Sequence, residues 1–204
     1  MSAPSRVTVR DARPEDADAV AAIVADGLAA KYRPALGGAA ARAIAALVRH
    51  DMETGTGSRH LVAEVDGRIA GAVHLVTGGG PPAGMTSTLV REVGLWTALR
   101  AVLVLSLLAH EGMRPDEAYL DELAVAAWAR RRGVGRALLE ACVREGSRAG
   151  RRRLTLWVTT DNAPARALYA AAGFEEMRRR RMLAGRVVFR APAASLMARP
   201  LAPG

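Results

Sequence analysis

The chain has a single cysteine, Cys142, in 204 residues, which excludes an internal disulfide and suits a reducing compartment. Aromatic residues make up only 4%, too few for the base-stacking platforms that hold single-stranded nucleic acid. Lysine is all but absent: Lys31 is the only one, so the Gly-x-x-x-x-Gly-Lys-Ser/Thr phosphate loop is excluded. The opening Met-Ser-Ala-Pro-Ser-Arg has no apolar signal region, so export is not expected and a cytoplasmic location is. No uninterrupted apolar run reaches the roughly 20 residues that a spanning helix needs.

Half the residues are apolar, enough for one domain over residues 1–204 with a sizeable core. The net charge of +9 is carried almost wholly by arginine. Without a nucleic-acid fingerprint, charge of that kind does not make a binding site, and no nucleic acid is expected as partner.

Periodicity divides the chain. Val7 to Arg10 alternates as a strand, and Arg13-Pro14-Glu15-Asp16 opens a helix that runs to Leu28. A second helix is expected from Ala39 to His50, after a break at Pro34–Gly38. Arg59 to Val65 and Arg68 to Val76 read as a hairpin about Asp66-Gly67. A glycine–proline loop from Thr77 to Gly84 leads to a helix over about 88–110, apolar on almost every face but for Arg100. This inserted stretch, about 77–112, is expected to pack on the sheet, pair with a second copy or lie on a membrane surface. Strands follow at Tyr119–Val125 and Arg153–Val158, helices at Gly133–Ala149 and Ala163–Ala172, and a hairpin of Phe174–Leu183 with Val187–Met197 about Ala184-Gly185.

The most informative run is Leu123-Ala124-Val125, then Arg130-Arg131-Arg132-Gly133-Val134-Gly135-Arg136-Ala137. It reads as strand, basic glycine loop and helix start, where backbone N–H groups and the positive helix end can cradle a phosphate. A dinucleotide fingerprint fails, because Leu138 stands where its third glycine belongs. Some thirty residues on comes Asp161-Asn162, a helix containing Leu168-Tyr169, and Gly173-Phe174.

Together these two motifs resemble the acetyl-CoA-binding signatures of the GNAT N-acetyltransferase superfamily. The resemblance implies an α/β fold with a mixed, mostly antiparallel, twisted sheet of about seven strands and helices on both faces. It implies transfer of acetyl from acetyl-CoA to a primary amine by direct attack in a ternary complex, with no metal. The alternative is a CoA-binding module that acts at an interaction or membrane surface with little catalysis.

The resemblance also assigns residues. Backbone groups of Leu123, Ala124 and Val125 border pantetheine, and Arg130, Arg131, Arg132, Gly133, Val134, Gly135, Arg136 and Ala137 hold the pyrophosphate. Tyr169 protonates the CoA sulfur, and Asn162 contacts CoA, caps its helix, or does both. Strand alternation places Tyr119, Asp121 and Leu123 on one face and Glu122 on the other, making Asp121 the expected base unless a bulge intervenes. His74 on the neighbouring strand is a further candidate. Arg178 to Arg181 are expected to alternate, one pair inward and one outward, as a solvated edge or a site for an acidic group. The acceptor pocket falls to the first two helices, their connection over residues 28–38 and the last hairpin, segments that carry no readable motif.

Overall fold

The computed structural model describes residues 6–54, 57–78, 83–106, 114–182 and 192–202. Seven strands form one sheet: β1 (Val7–Asp11), β2 (Ser58–Val65), β3 (Arg68–Val76), β4 (Glu117–Val125), β5 (Arg153–Thr159), β6 (Glu175–Arg181) and β7 (Ala193–Pro200). Their order is β1-β2-β3-β4-β5-β7-β6, and every neighbouring pair is antiparallel except β4 with β5. The helices are α1 (Ala17–Gly27), α2 (Ala29–Leu36), α3 (Ala40–Thr54), α4 (Met85–Val93), α5 (Leu95–Ser106), α6 (Val134–Arg148) and α7 (Ala163–Ala171). This is the expected mixed, mostly antiparallel arrangement.

Two apolar clusters cover the two faces, as alternation along the strands requires. Leu61, Ala63, Val73, Leu75, Leu120, Leu154 and Leu156 pack against Val134, Leu138 and Leu139 of α6 and Tyr169 of α7. On the opposite face, Val62, Ala72 and Ala124 meet Val20 and Val24 of α1 and Ile44 and Val48 of α3.

Two sequence expectations change. The connection after α1 is itself helical: Leu28 (φ −115°, ψ 31°) breaks the chain and α2 follows. Pro34 lies inside α2, where it cannot donate to Ala30 O, and Gly37 (φ 57°) ends the helix. The long apolar helix is two helices, broken at Gly94, whose positive φ of 77° suits glycine and whose N–H still closes α4 on Val90 O. Arg100 does not merely interrupt α5, since its Nε donates to Ala35 O at the end of α2. Residues 107–113, the far end of the expected insertion, lie outside the described residues.

Two observations concern the final hairpin. The described part of its second strand is Ala193–Pro200, and Val187 and the Ala184-Gly185 turn lie outside the described residues. The arginines of β6 form the solvated sheet edge: a bulge falls between Glu176 and Arg178, all seven residues of the strand are exposed, and Arg178 lies over the Trp157 ring at 5.7 Å.

α6 crosses the sheet closely because β3 has no side chain at Gly71. A Cβ there would lie 2.8 Å from Val134 Cγ1 and 3.0 Å from Ala124 O. Gly71→Ala is therefore expected to destabilise the fold by about 1–3 kcal/mol, read by urea unfolding; an unchanged midpoint would contradict this packing.

A second constraint lies at the start of α1. Asp16 takes the Arg10 guanidinium at 2.6 Å and the Arg13 N–H at 2.8 Å. Its bond to Arg10 outweighs burial and holds its carboxyl below the usual value. A carboxylate with a lowered folded-state pKa adds stability above about pH 4 and loses it as pH falls through the folded value. Asp16→Asn is expected to cost about 1–3 kcal/mol at pH 7 and much less at pH 3. Equal losses at both pH values would count against the ion pair.

Candidate active site

The parallel ladder between β4 and β5 holds only for Glu117–Arg153, Ala118–Leu154 and Tyr119–Thr155. Beyond Tyr119, β4 stays paired with β3 as far as Val125, so its other edge opens. Ala126 N donates to Ala70 O on the β3 side. By alternation, the backbone groups of Leu123 and Val125 point into the gap. There Val125 O already accepts from Arg130 Nε at 3.4 Å.

At the end of β4 the chain turns through Arg131 (φ 64°) and Gly133 (φ 81°) into α6. The first bond across this start runs from Ala137 N to Gly133 O. The N–H groups of Val134, Gly135 and Arg136 therefore have no carbonyl of their own helix to pair with. Gly135 allows close packing: a Cβ would sit 3.0 Å from Leu168 Cδ2 of α7. Arg130, Arg131, Arg132 and Arg136 are exposed around the turn. Two already have acidic neighbours, Arg136 with Glu140 at 2.9 Å and Arg130 with Asp26 at 3.8 Å.

The gap opens into a cavity of about 1050 Å³ lined by Leu123, Asn162, Leu168 and Tyr169 on one side and by the connected polar group of Lys31, Asp51, His60, His74, Asp121 and Glu122 on the other. The expected side-chain candidates thus share one space, whereas the glycine loop and its arginines lie beyond the strand end and do not line it. Ala124 faces away, buried in the α1–α3 cluster. Asn162 caps α7, its Oδ1 accepting from Ala165 N at 3.2 Å. Tyr169 is buried and tilted against Phe174 with ring centres 5.8 Å apart, and burial pushes its phenol up to about 12.

The parity expected for β4 fails at one residue. His74 pairs with Glu122 but Leu75 pairs with Leu120, so Asp121 is a bulge. After it, Leu123 and Val125 join the α6 face, while Glu122 shares the α1 face with Ala124. Both carboxylates consequently meet Lys31, whose Nζ lies 2.9 Å from Glu122 Oε1 and 3.8 Å from Asp121 Oδ1. Burial opposes the Lys31 charge, but Glu122 and then Asp121 outweigh it and hold the ammonium above its ordinary range. Tyr119 beside them is raised by burial and by Asp121.

A second polar group had no sequence motif. His60 and His74 are cross-strand partners, stacked with ring centres 4.4 Å apart and planes 4° from parallel. His60 Nε2 lies 2.7 Å and His74 Nε2 3.4 Å from Asp51 Oδ2, at the end of α3. His74 Nδ1 faces Asp121 Oδ2 at 3.4 Å. Burial and the charge of His74 lower His60 despite its Asp51 contact. The contacts to Asp121 and Asp51 outweigh burial at His74 and raise it to about 9. The bonds from both histidines and Ser58 outweigh burial at Asp51 and keep it low. The alternation of β2 and β3 could have paired the histidines in sequence; nothing in it pointed to Asp51.

The comparisons agree with this architecture. A family model described as "Acetyltransferase (GNAT) family" matches residues 29–174. The [ribosomal protein bS18]-alanine N-acetyltransferase of Escherichia coli K12 is 46% identical over 66 residues, covering 32% of this chain and 45% of that protein. Mycothiol acetyltransferase of Thermobifida fusca is 43% identical over 75 residues, covering 37% of this chain and 22% of that protein. This chain thus spans less than half the length of the curated relatives it matches. Among solved structures, the Escherichia coli ribosomal-protein-S18-alanine N-acetyltransferase aligns with TM-score 0.57 at 20% identity over 98% of this chain and 96% of that one. An acetyltransferase from Salmonella typhimurium, solved with its cofactor acetyl-CoA, aligns with TM-score 0.64 at 17% identity over 97% and 98%. These structural likenesses speak to the fold; the family match, over more than half the chain, speaks to descent. The chain belongs to the GNAT family of acetyltransferases.

Proposed function

We propose that the chain transfers the acetyl group of acetyl-CoA to a primary amine by direct attack in a ternary complex. The observation that carries this reading is the opening between β4 and β5, with Tyr169 and Asp121 in one cavity. Acetyl-CoA supplies the activated acyl carbon; the strand edge at Leu123 and Val125 pairs with its pantetheine arm like an added strand. The first-turn N–H groups at Val134–Arg136, with Arg130, Arg131 and Arg132 around them, receive the pyrophosphate. The amine must lose a proton before or during attack, and Asp121 accepts it through water. Glu122, paired closely with Lys31, positions that lysine and does not serve as base. Tyr169 gives its proton to the departing thiolate and regains one from solvent. Burial keeps that proton in place across the working range, since the phenol is raised to about 12.

A covalent acyl-enzyme is not supported. Burial pushes the Cys142 thiol up to about 12, and the residue is fully buried inside α6. An amine acceptor agrees with the bS18 relative, which by name acetylates an alanine. Tyr169→Phe is expected to lower kcat at least about a hundredfold with little change in KM for acetyl-CoA. Asp121→Asn should lower kcat about 10–100-fold at saturating acetyl-CoA, read by steady-state kinetics. In the wild type, no alkaline fall from Tyr169 is expected below about pH 11. Tight CoA binding with no turnover on any amine would sink the catalytic reading.

A contact role for the inserted helices has its own support. Along α5 the exposed residues Leu95, Trp96, Leu99, Val102 and Leu103 form one apolar ridge, Trp96 being 83% and Leu103 67% exposed. Among the described residues no helix is long and apolar enough to cross a membrane; at 12 residues, α5 reaches only about 18 Å. We propose that the ridge contacts a second copy of the chain or a membrane surface. Sedimentation and vesicle flotation are expected to show one of these associations, lost in the Trp96→Asp/Leu103→Asp variant. A monomer that ignores vesicles would refute it.

A further inference from the structure

Asp51, His60 and His74 form a two-histidine, one-carboxylate set on the wall of the cavity, and acyl transfer as proposed above makes no use of it. Three elements that are distant in sequence build it: the end of α3 supplies Asp51, and neighbouring positions on β2 and β3 supply the imidazoles. The three donor atoms all lie within 4.8 Å of one another. The two Nε2 atoms converge on the same oxygen, Asp51 Oδ2, at 2.7 and 3.4 Å. Donors of a tetrahedral Zn²⁺ site, about 2.0–2.1 Å from the ion, stand roughly 3.4 Å apart. Closing this set around an ion therefore needs no donor pair to contract by more than about 1.4 Å, which side-chain rotation can supply.

Three further observations point to a ligand. His74 Nε2 is buried and meets Asp51 Oδ2 at 3.4 Å, a long contact for a buried polar atom. The other nitrogen of His74 faces Asp121 Oδ2 at 3.4 Å, the carboxylate–histidine arrangement that orients metal-binding imidazoles. The Ser58 hydroxyl donates to Asp51 Oδ2, an outer contact of the kind that holds a ligating carboxylate in place. All three residues line the cavity that holds Lys31, Asp121 and Tyr169, so the remaining coordination position opens towards it. Imidazole nitrogens with one carboxylate oxygen suit Zn²⁺ and neighbouring first-row divalent ions, not Mg²⁺ or Ca²⁺.

We infer that Asp51, His60 and His74 bind one Zn²⁺-class cation whose open position faces the cavity, with Asp121 orienting His74. Such an ion would take an oxygen, nitrogen or sulfur donor of the acceptor and anchor it beside Asp121. The site itself does not depend on the chain being an acetyltransferase.

The test uses the full chain, stripped with EDTA and titrated with Zn²⁺ by calorimetry at neutral pH, with Co²⁺ as the optical probe. One equivalent is expected to bind, raising the thermal midpoint and giving visible Co²⁺ bands. The His60→Gln/His74→Gln variant should lose binding, and Asp121→Asn should weaken it about 10–100-fold. His50→Gln, on a half-buried histidine that contacts Ala83 O, should leave binding unchanged. Should the double variant fail to fold, X-ray absorption on the zinc-loaded wild type reads the shell directly, two imidazoles and oxygen being expected. No binding by the wild type, equal binding by the folded double variant, or a shell without two imidazoles overturns the inference.

Discussion

Everything at the site follows from β4 leaving β5 after three paired residues. A sheet normally satisfies both edges of an interior strand; here one edge is held by β3 along its length and the other is let go. The opened edge presents backbone groups at Leu123 and Val125, and the same divergence makes room for the cavity. α6 and α7 fix the divergence by packing on one side, close enough that Gly71 and Gly135 have no room for a side chain without displacement. The turn at Arg131–Gly133 and the open strand edge, to which the proposed function gives the phosphate and the acyl arm, are therefore successive parts of one stretch of chain. Helix packing and the Arg130 Nε bond to Val125 O set their spacing.

The second determinant is the bulge at Asp121. One extra residue in β4 turns Glu122 from the α6 face to the α1 face, so two adjacent acids face the only lysine of the chain. Their attraction keeps Lys31 charged in spite of burial. The wall of the cavity opposite Tyr169 is thereby strongly polar, while Tyr169 itself lies among apolar residues that keep its phenol neutral. An acid and a base of opposite environments on facing walls are what acyl transfer to an amine requires.

The proposed donor side could be read from the chain because its elements are local. A glycine at positive φ, a helix start and an adjacent apolar strand lie within about fifteen consecutive residues, and Asn162, Tyr169 and Phe174 follow in one strand–helix unit. The opposite wall was not readable for the converse reason. Lys31, Asp51, His60, His74 and Glu122 come from five elements, and only tertiary packing brings them together. Strict alternation misplaced Glu122, since a bulge leaves no mark in composition. The apolar run before β4 was read as one helix because its hydrophobicity continues through Gly94, where backbone conformation, not polarity, makes the break. Pro34 misled in the other direction: it suggested a break, yet α2 runs through it and ends at Gly37.

Because the groups proposed to bind the donor are main-chain atoms, side-chain substitution is an insensitive probe of them. Amide hydrogen exchange with and without acetyl-CoA reads them directly. The account predicts new protection confined to residues 120–125 and 131–136, with little change on α5 or β1. Binding that leaves those amides exchanging as before, or that protects a different edge of the sheet, would contradict the placement of acetyl-CoA in the gap between β4 and β5.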